Sequence, residues 1–167
     1  MRGPLAIADE APNFDLSSTE NAVLMLRDEV ARNAAVVYFF ADPSDERAQR
    51  DLDALNQHLD RLARRNARIL AVSPAKLDDL KKLQAGRKLL FPLLHDDRNF
   101  SAAYGVEPGA PALVVVSRKQ RILWLANPVA AVTEAMPQVE KVLDDQPSPA
   151  KSYPKSVINK LVDKIVN

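Results

Sequence analysis

The chain contains no cysteine. This absence excludes disulfide bonds, thiolate nucleophiles, zinc sites with cysteine ligands and iron–sulfur clusters. Two histidines are present, His58 and His95, so a metal site built from several histidines is excluded as well. The formal net charge is +1, from 23 basic and 22 acidic residues. Such a balance argues against a nucleic-acid-binding domain, which is usually strongly basic.

The sequence also lacks a long hydrophobic run. The longest one, residues 34–41, is far shorter than the roughly 20 residues that a membrane-spanning helix needs. The first ten residues contain no apolar stretch of the kind found in signal peptides. We therefore expect no transmembrane segment and a cytoplasmic location, and the absence of cysteine fits a reducing compartment.

The apolar residues alternate between runs typical of strands and stripes typical of helices. Runs rich in β-branched residues predict strands at 34–40, 68–73, 112–116 and 121–125, with a short extended piece at 91–94. Leucines spaced by three and four predict a long helix over 45–65, with Ser44 as its N-cap. Further helices are predicted at 74–86, 97–104 and 129–143. This order predicts an α/β sandwich with right-handed crossovers between parallel strands.

The last 21 residues differ from the rest. Residues 1–146 are predicted to form one domain, and residues 147–167 a Pro/Ser linker followed by an amphipathic helix. Six apolar residues form the stripe of this helix: Val157, Ile158, Leu161, Val162, Ile165 and Val166. We expect the stripe to dock on its own domain or on a neighbouring subunit, so the expected partners are an unidentified protein or a second copy of the chain. Binding to a membrane surface, which the neighbouring lysines would favour, is the lesser alternative.

Four segments resemble the peroxiredoxin family in residue identity, order and spacing. They lie at 11–16, 36–40, 69–73 and 91–106. The resemblance is to the AhpC/TSA and bacterioferritin-comigratory-protein branch of the thioredoxin-like superfamily, and it covers roughly residues 5–143. It implies a thioredoxin-like three-layer sandwich with a central mixed β-sheet and flanking helices. The corresponding family label is redoxin, an antioxidant oxidoreductase.

The family's catalytic motif, Pro-x-x-x-Thr-x-x-Cys, is not preserved. The resemblance places Ala41 at the proline, Asp45 at the threonine and Ala48 at the cysteine. Thioredoxin-like oxidoreductases would instead place their Cys-x-x-Cys over residues 44–47, again without a thiol. The same superfamily carries a cis-proline where Pro111 precedes the third strand. The resemblance therefore implies a vestigial site, formed by Ala41, Ser44, Asp45, Arg47, Ala48 and Pro111. No catalytic, cofactor-binding or metal-binding residue is predicted.

Two functions remain open. The first is a cysteine-free, peroxiredoxin-like protein without thiol peroxidase activity, acting as a binding or partner-interaction module. The alternative is an enzyme of unrelated chemistry that uses Asp45, Glu46 or Arg47 in the old pocket. Acids in the first turn of a helix commonly complement its dipole, and this structural role is the simpler interpretation of Asp45 and Glu46.

The remaining polar clusters have simple structural interpretations. His95 precedes two aspartates, but adjacent residues rarely converge on a metal, so we expect a histidine at the surface or in a turn. His58 lies off the leucine stripe and is predicted to be exposed. Four arginines, Arg61, Arg64, Arg65 and Arg68, fit cations at a helix C-terminus better than a nucleic-acid patch, because no aromatic residues interleave with them.

Overall fold

A mixed seven-stranded sheet forms the centre of the protein. The structure, a computed structural model, describes residues 5–97, 100–107 and 109–146. The strands are β1 (Asp15–Ser18), β2 (Val23–Met25), β3 (Ala34–Phe39), β4 (Ala67–Ser73), β5 (Leu93–His95), β6 (Ala112–Val116) and β7 (Ile122–Ala126). The helices are α1 (Leu26–Val30), α2 (Glu46–Gln57), α3 (Leu59–Ala63), α4 (Leu77–Arg87), α5 (Phe100–Ala103) and α6 (Val132–Asp144). The predicted amphipathic helix at 157–166 lies outside the described residues.

The strand order is β2-β1-β5-β4-β3-β6-β7. Strand β3 pairs in parallel with β4, and β4 pairs in parallel with β5. The other pairings are antiparallel. Because α2 and α3 connect β3 to β4, and α4 connects β4 to β5, the predicted helical connections between parallel strands are confirmed.

Strand β3 separates two hydrophobic layers. Val36 and Tyr38 face a core that includes residues of α2, α4 and α6. Val37 and Phe39 face the opposite core, to which α1 contributes. Every residue of β3 is buried, as expected for a central strand covered by helices on both faces. The predicted α/β sandwich is therefore confirmed.

The apolar pattern did not predict the first three elements of the chain, which are β1, β2 and α1. These strands contain four and three residues, and the helix contains five. Elements this short do not repeat a period often enough to be recognised in a sequence.

Several helix boundaries differ from the predictions. The helix predicted over 45–65 is interrupted at His58, whose Nδ1 atom lies 2.8 Å from the carbonyl oxygen of Ala54. His58 is half-buried, so its predicted exposure was wrong. Helix α4 begins at Leu77 rather than at 74, continues through Gly86 and ends at Arg87. Its C-cap, Lys88, has a left-handed φ of 53°. The last helix begins at Val132 rather than at 129.

Three of the four clustered arginines form ion pairs across the fold. Arg61 pairs with Glu140 at 2.9 Å, and Arg65 pairs with Asp144 at 2.8 Å. Arg68 pairs with Glu29 of α1 at 2.6 Å. The first two pairs join the end of the α2–α3 segment to the end of α6. None of the helices in the described part of the chain combines the length and the hydrophobicity needed to cross a membrane.

A buried carboxylate links the interior of α2 to the start of α6. Asp51 of α2 is 5% exposed. Its Oδ2 accepts a hydrogen bond of 2.8 Å from the Tyr38 hydroxyl, and its Oδ1 accepts one of 3.1 Å from the Val132 backbone N–H. Asp51 therefore links the second turn of α2 to the start of α6 and to strand β3.

We predict that Asp51→Ala lowers the free energy of unfolding by about 2–4 kcal/mol, because two buried donors lose their acceptor. Asp60→Ala is the matched control, since Asp60 is exposed on α3, and we expect a change within about 0.5 kcal/mol. Urea unfolding followed by circular dichroism measures both. Equal stability of the two variants would contradict a linking role for Asp51.

Candidate functional site

The loop between β3 and α2 is held from two sides. The Ser73 hydroxyl donates a hydrogen bond of 3.1 Å to the carbonyl oxygen of Ala41. From the other side, the side-chain amide of Gln49 donates one of 2.8 Å to the carbonyl oxygen of Pro43. These bonds fix the loop where it leaves β3 and enters α2.

The N-cap of α2 is Asp45 rather than the predicted Ser44. The Asp45 carboxylate accepts a hydrogen bond of 3.4 Å from the Arg47 N–H. The Ser44 hydroxyl instead donates to Asp42 at 2.8 Å, and the Ser44 N–H donates to the same carboxylate oxygen at 2.9 Å. These two bonds, the backbone one foremost, lower the pKa of Asp42 below its usual value. Asp42 is therefore ionised at neutral pH.

Arg47 connects the first turn of α2 to the segment that precedes α6. Its Nη2 atom donates to the backbone carbonyl oxygens of Val129 and Ala130. The Val129 N–H in turn donates to the carbonyl oxygen of Pro111 at 2.9 Å. This bond holds residue 129 beside Pro111, outside the helix that was predicted to begin there.

The Ala110–Pro111 peptide bond is trans. Within the described residues, the cis bond precedes Pro128 instead. The superfamily's cis-proline, implied by the resemblance at Pro111, is therefore not present at that position.

A cleft of about 570 Å³ opens at this place. It brings together all six residues of the predicted vestigial site with five others: Tyr38, Phe40, Ala41, Asp42, Ser44, Asp45, Glu46, Arg47, Ala48, Gly109 and Pro111. Ala48 is 3% exposed, and the rings of Tyr38 and Phe40 stack at a centroid distance of 5.8 Å. The cleft therefore combines apolar, aromatic residues with charged side chains from the start of α2.

Burial, followed by the neighbouring Asp51 carboxylate, raises the pKa of Tyr38 far above its ordinary value. The phenol therefore stays protonated and serves as a donor to Asp51. Sequence reasoning missed Tyr38 as a residue of the cleft and Asp51 as its buried partner. An aspartate on the apolar face of a predicted helix was the available signal, because such a residue needs a buried partner.

The charge at the start of α2 is predominantly negative. Asp42, Asp45 and Glu46 are exposed at the cleft, whereas the guanidinium of Arg47 already binds two carbonyl oxygens. These carboxylates offset the partial positive charge at the N-terminus of α2. The site therefore disfavours anionic ligands.

The two histidines lie elsewhere, and His95 is the half-buried last residue of β5 rather than part of a turn. The Nδ1 atom of His95 is 2.6 Å from the carbonyl oxygen of Ala75. The neighbouring Asp96 caps α5, accepting hydrogen bonds of 2.7 and 2.9 Å from the N–H groups of Phe100 and Ser101. Across the described residues, no group of three or more acidic or histidine side chains is arranged to hold a metal ion.

We predict that the acidic rim of the cleft, formed by Asp42, Asp45 and Glu46, lowers the reactivity of a thiol placed in the cleft. In an Ala48→Cys background, replacing Asp45 by Asn and Glu46 by Gln should lower the thiol pKa by about half a unit or more, because two nearby negative charges are removed. The pH dependence of alkylation by iodoacetamide measures this pKa. Replacing Asp60 by Asn in the same background is the control, and a shift equal to the control's would contradict the prediction.

Comparison with known proteins places this arrangement in context. A model of the AhpC/TSA family matches residues 7–125. No curated protein sequence matches the chain.

Several solved structures share the fold. Mycobacterium tuberculosis peroxidoxin BcpB is 15% identical, with a TM-score of 0.78, covering 83% of this chain and 96% of that one. A cysteine-to-serine mutant of Xylella fastidiosa PrxQ is 19% identical, with a TM-score of 0.78 and coverage of 86% and 98%. Mycobacterium bovis AhpC is 21% identical, with a TM-score of 0.73 and coverage of 86% and 93%. These likenesses show that the chain has the thioredoxin-like fold of peroxiredoxins.

Proposed function

Because the chain belongs to the AhpC/TSA family and contains no cysteine, we propose that it is a binding module that uses the peroxidase cleft without peroxidase chemistry. The observation that carries the proposal is the pairing of an open cleft with a missing nucleophile. The cleft of about 570 Å³ includes Ala48, the position that the resemblance assigns to the catalytic cysteine. A thiol peroxidase must form a sulfenic acid on that cysteine, and alanine has no sulfur to oxidise.

The size and lining of the cleft support binding. Sites for small ligands and side chains are typically concave, partly apolar and about 300–1,000 Å³ in volume, with a few polar groups that orient the ligand. Tyr38, Phe40 and Ala48 supply apolar surface here, and the carboxylates at the start of α2 supply polar groups. An uncharged or cationic group fits these surroundings better than an anion.

The alternative, an enzyme of unrelated chemistry, has weaker support. Asp45 caps α2, and Arg47 binds the carbonyl oxygens of residues 129 and 130, so both already have structural partners. The Ser44 hydroxyl donates to Asp42, and no histidine is among the residues that line the cleft to activate that hydroxyl as a nucleophile.

We predict no consumption of hydrogen peroxide or organic hydroperoxide above the buffer background when the purified protein is supplied with thioredoxin or dithiothreitol. The physical reason is the absence of any thiolate in the chain. A ferrous-oxidation assay of residual peroxide measures the rate. A cysteine-containing peroxiredoxin assayed in parallel is the positive control, and comparable turnover would overturn the proposal.

We also predict that filling the cleft abolishes partner binding. Ser44 is exposed at the cleft, so Ser44→Trp places an indole at its entrance. Gln57→Trp, at the exposed far end of the same helix, is the matched control. Immobilised wild type and Gln57→Trp should retain a common partner from the source-cell extract, and Ser44→Trp should lose it. Equal retention by all three would contradict the cleft as the binding site.

A further inference from the structure

The charges of the chain are divided unequally along its length. The C-terminal segment, residues 147–167, contains four lysines and one acid, which is a net charge of +3. Residues 1–146 contain 19 basic and 21 acidic residues, which is a net charge of −2. Opposite charge within one chain favours contact between the segment and acidic parts of the domain, most strongly at low ionic strength.

The cleft is an acidic surface with an apolar interior. Asp42, Asp45 and Glu46 lie at its rim, and Asp42 is held ionised by its bonds to Ser44. The buried residues Phe40 and Ala48 lie deeper. A complementary ligand presents apolar side chains flanked by cations.

The C-terminal segment has that pattern. Its predicted apolar stripe, defined above over residues 157–166, is accompanied by Lys160 and Lys164. One or two branched side chains of such a stripe suit the cavity volume of about 570 Å³. The adjacent lysines then meet the carboxylates of the rim.

The connection is long enough for contact within one molecule. Helices α2 and α6 run in the same direction, because Asp51 binds the start of α6 while Arg65 pairs with Asp144 at its end. The cleft lies at the starting end of both helices. The 13 residues of α6 span about 20 Å at 1.5 Å per residue. The ten residues 147–156 can extend over about 33 Å, which is enough to return along α6.

We propose that residues 157–166 occupy the cleft of their own chain, with the apolar stripe against its interior and Lys160 and Lys164 against the acidic rim. This inference rests on the proposed function of the cleft as a binding site, and it names the occupant that an external partner must displace.

The absence of native cysteine allows a direct test by disulfide cross-linking in the full-length protein. One variant combines Ser44→Cys with Val162→Cys, and the matched control combines Gln57→Cys with Val162→Cys. Under mild oxidation with copper-phenanthroline, the first pair should form an intramolecular disulfide about tenfold faster than the second, because docking raises the local concentration of the two thiols. Adding Lys160→Glu and Lys164→Glu to the first pair should remove most of this advantage.

Non-reducing gel electrophoresis and intact-mass measurement separate the outcomes. Equal rates for the two pairs would overturn the inference. Disulfide-linked dimers of the first variant, without the intramolecular product, would also overturn it and would assign the cleft to the segment of a second copy. Either result leaves the proposed function intact if Ser44→Trp still abolishes partner capture. If all three proteins of the capture experiment retain partners equally while the intramolecular disulfide forms rapidly, the result counts against an external partner in the cleft and supports the docked segment.

Discussion

The buried carboxylate of Asp51 is the interaction on which the site depends. It is enclosed by β3, α2 and α6, and it binds the hydroxyl of Tyr38 and the first N–H of α6. A charge in such surroundings is tolerated only when its acceptor capacity is used. Satisfying it holds the second turn of α2 against the start of α6. Arg47 can then reach the carbonyl oxygens that precede α6, and the space between these helix starts and Pro111 becomes the cleft.

The charges at the start of α2 do not favour a thiolate. A thiolate at the start of a helix gains from the helix dipole and from neighbouring cations. In this chain, carboxylates cap that helix, and its first-turn arginine is bound by backbone carbonyls. Negative charge therefore surrounds the start of α2 in this chain. Membership of the AhpC/TSA family therefore accounts for the fold of this protein, whereas its chemistry depends on the residues of the site.

The sequence predicted the central elements better than the peripheral ones. Residues 34–40 read as a buried strand because seven consecutive apolar residues are incompatible with a surface position, and β3 is buried throughout. The long leucine stripe predicted a helix correctly, but it could not reveal the interruption at His58, where the ring turns back to the Ala54 carbonyl. Residue preference predicted Ser44 as the N-cap of α2. The Ser44 hydroxyl instead donates a hydrogen bond to Asp42, and Asp45 caps the helix. Strands as short as β2 leave no periodic signal.

Composition by itself determined that this chain has no sulfur nucleophile, since a missing residue type is absent in every conformation. The motif order determined which family the chain resembles, and the resemblance assigns Ala48 to the position of that family's catalytic cysteine. Only the tertiary structure decided that Ala41, Ser44, Asp45, Arg47, Ala48 and Pro111 line one cleft. It also decided that Asp51, one aspartate among several on a helix, is buried and bonded to Tyr38. Such pairings join residues far apart in the chain, and their geometry exists only once the sheet and both helices have packed.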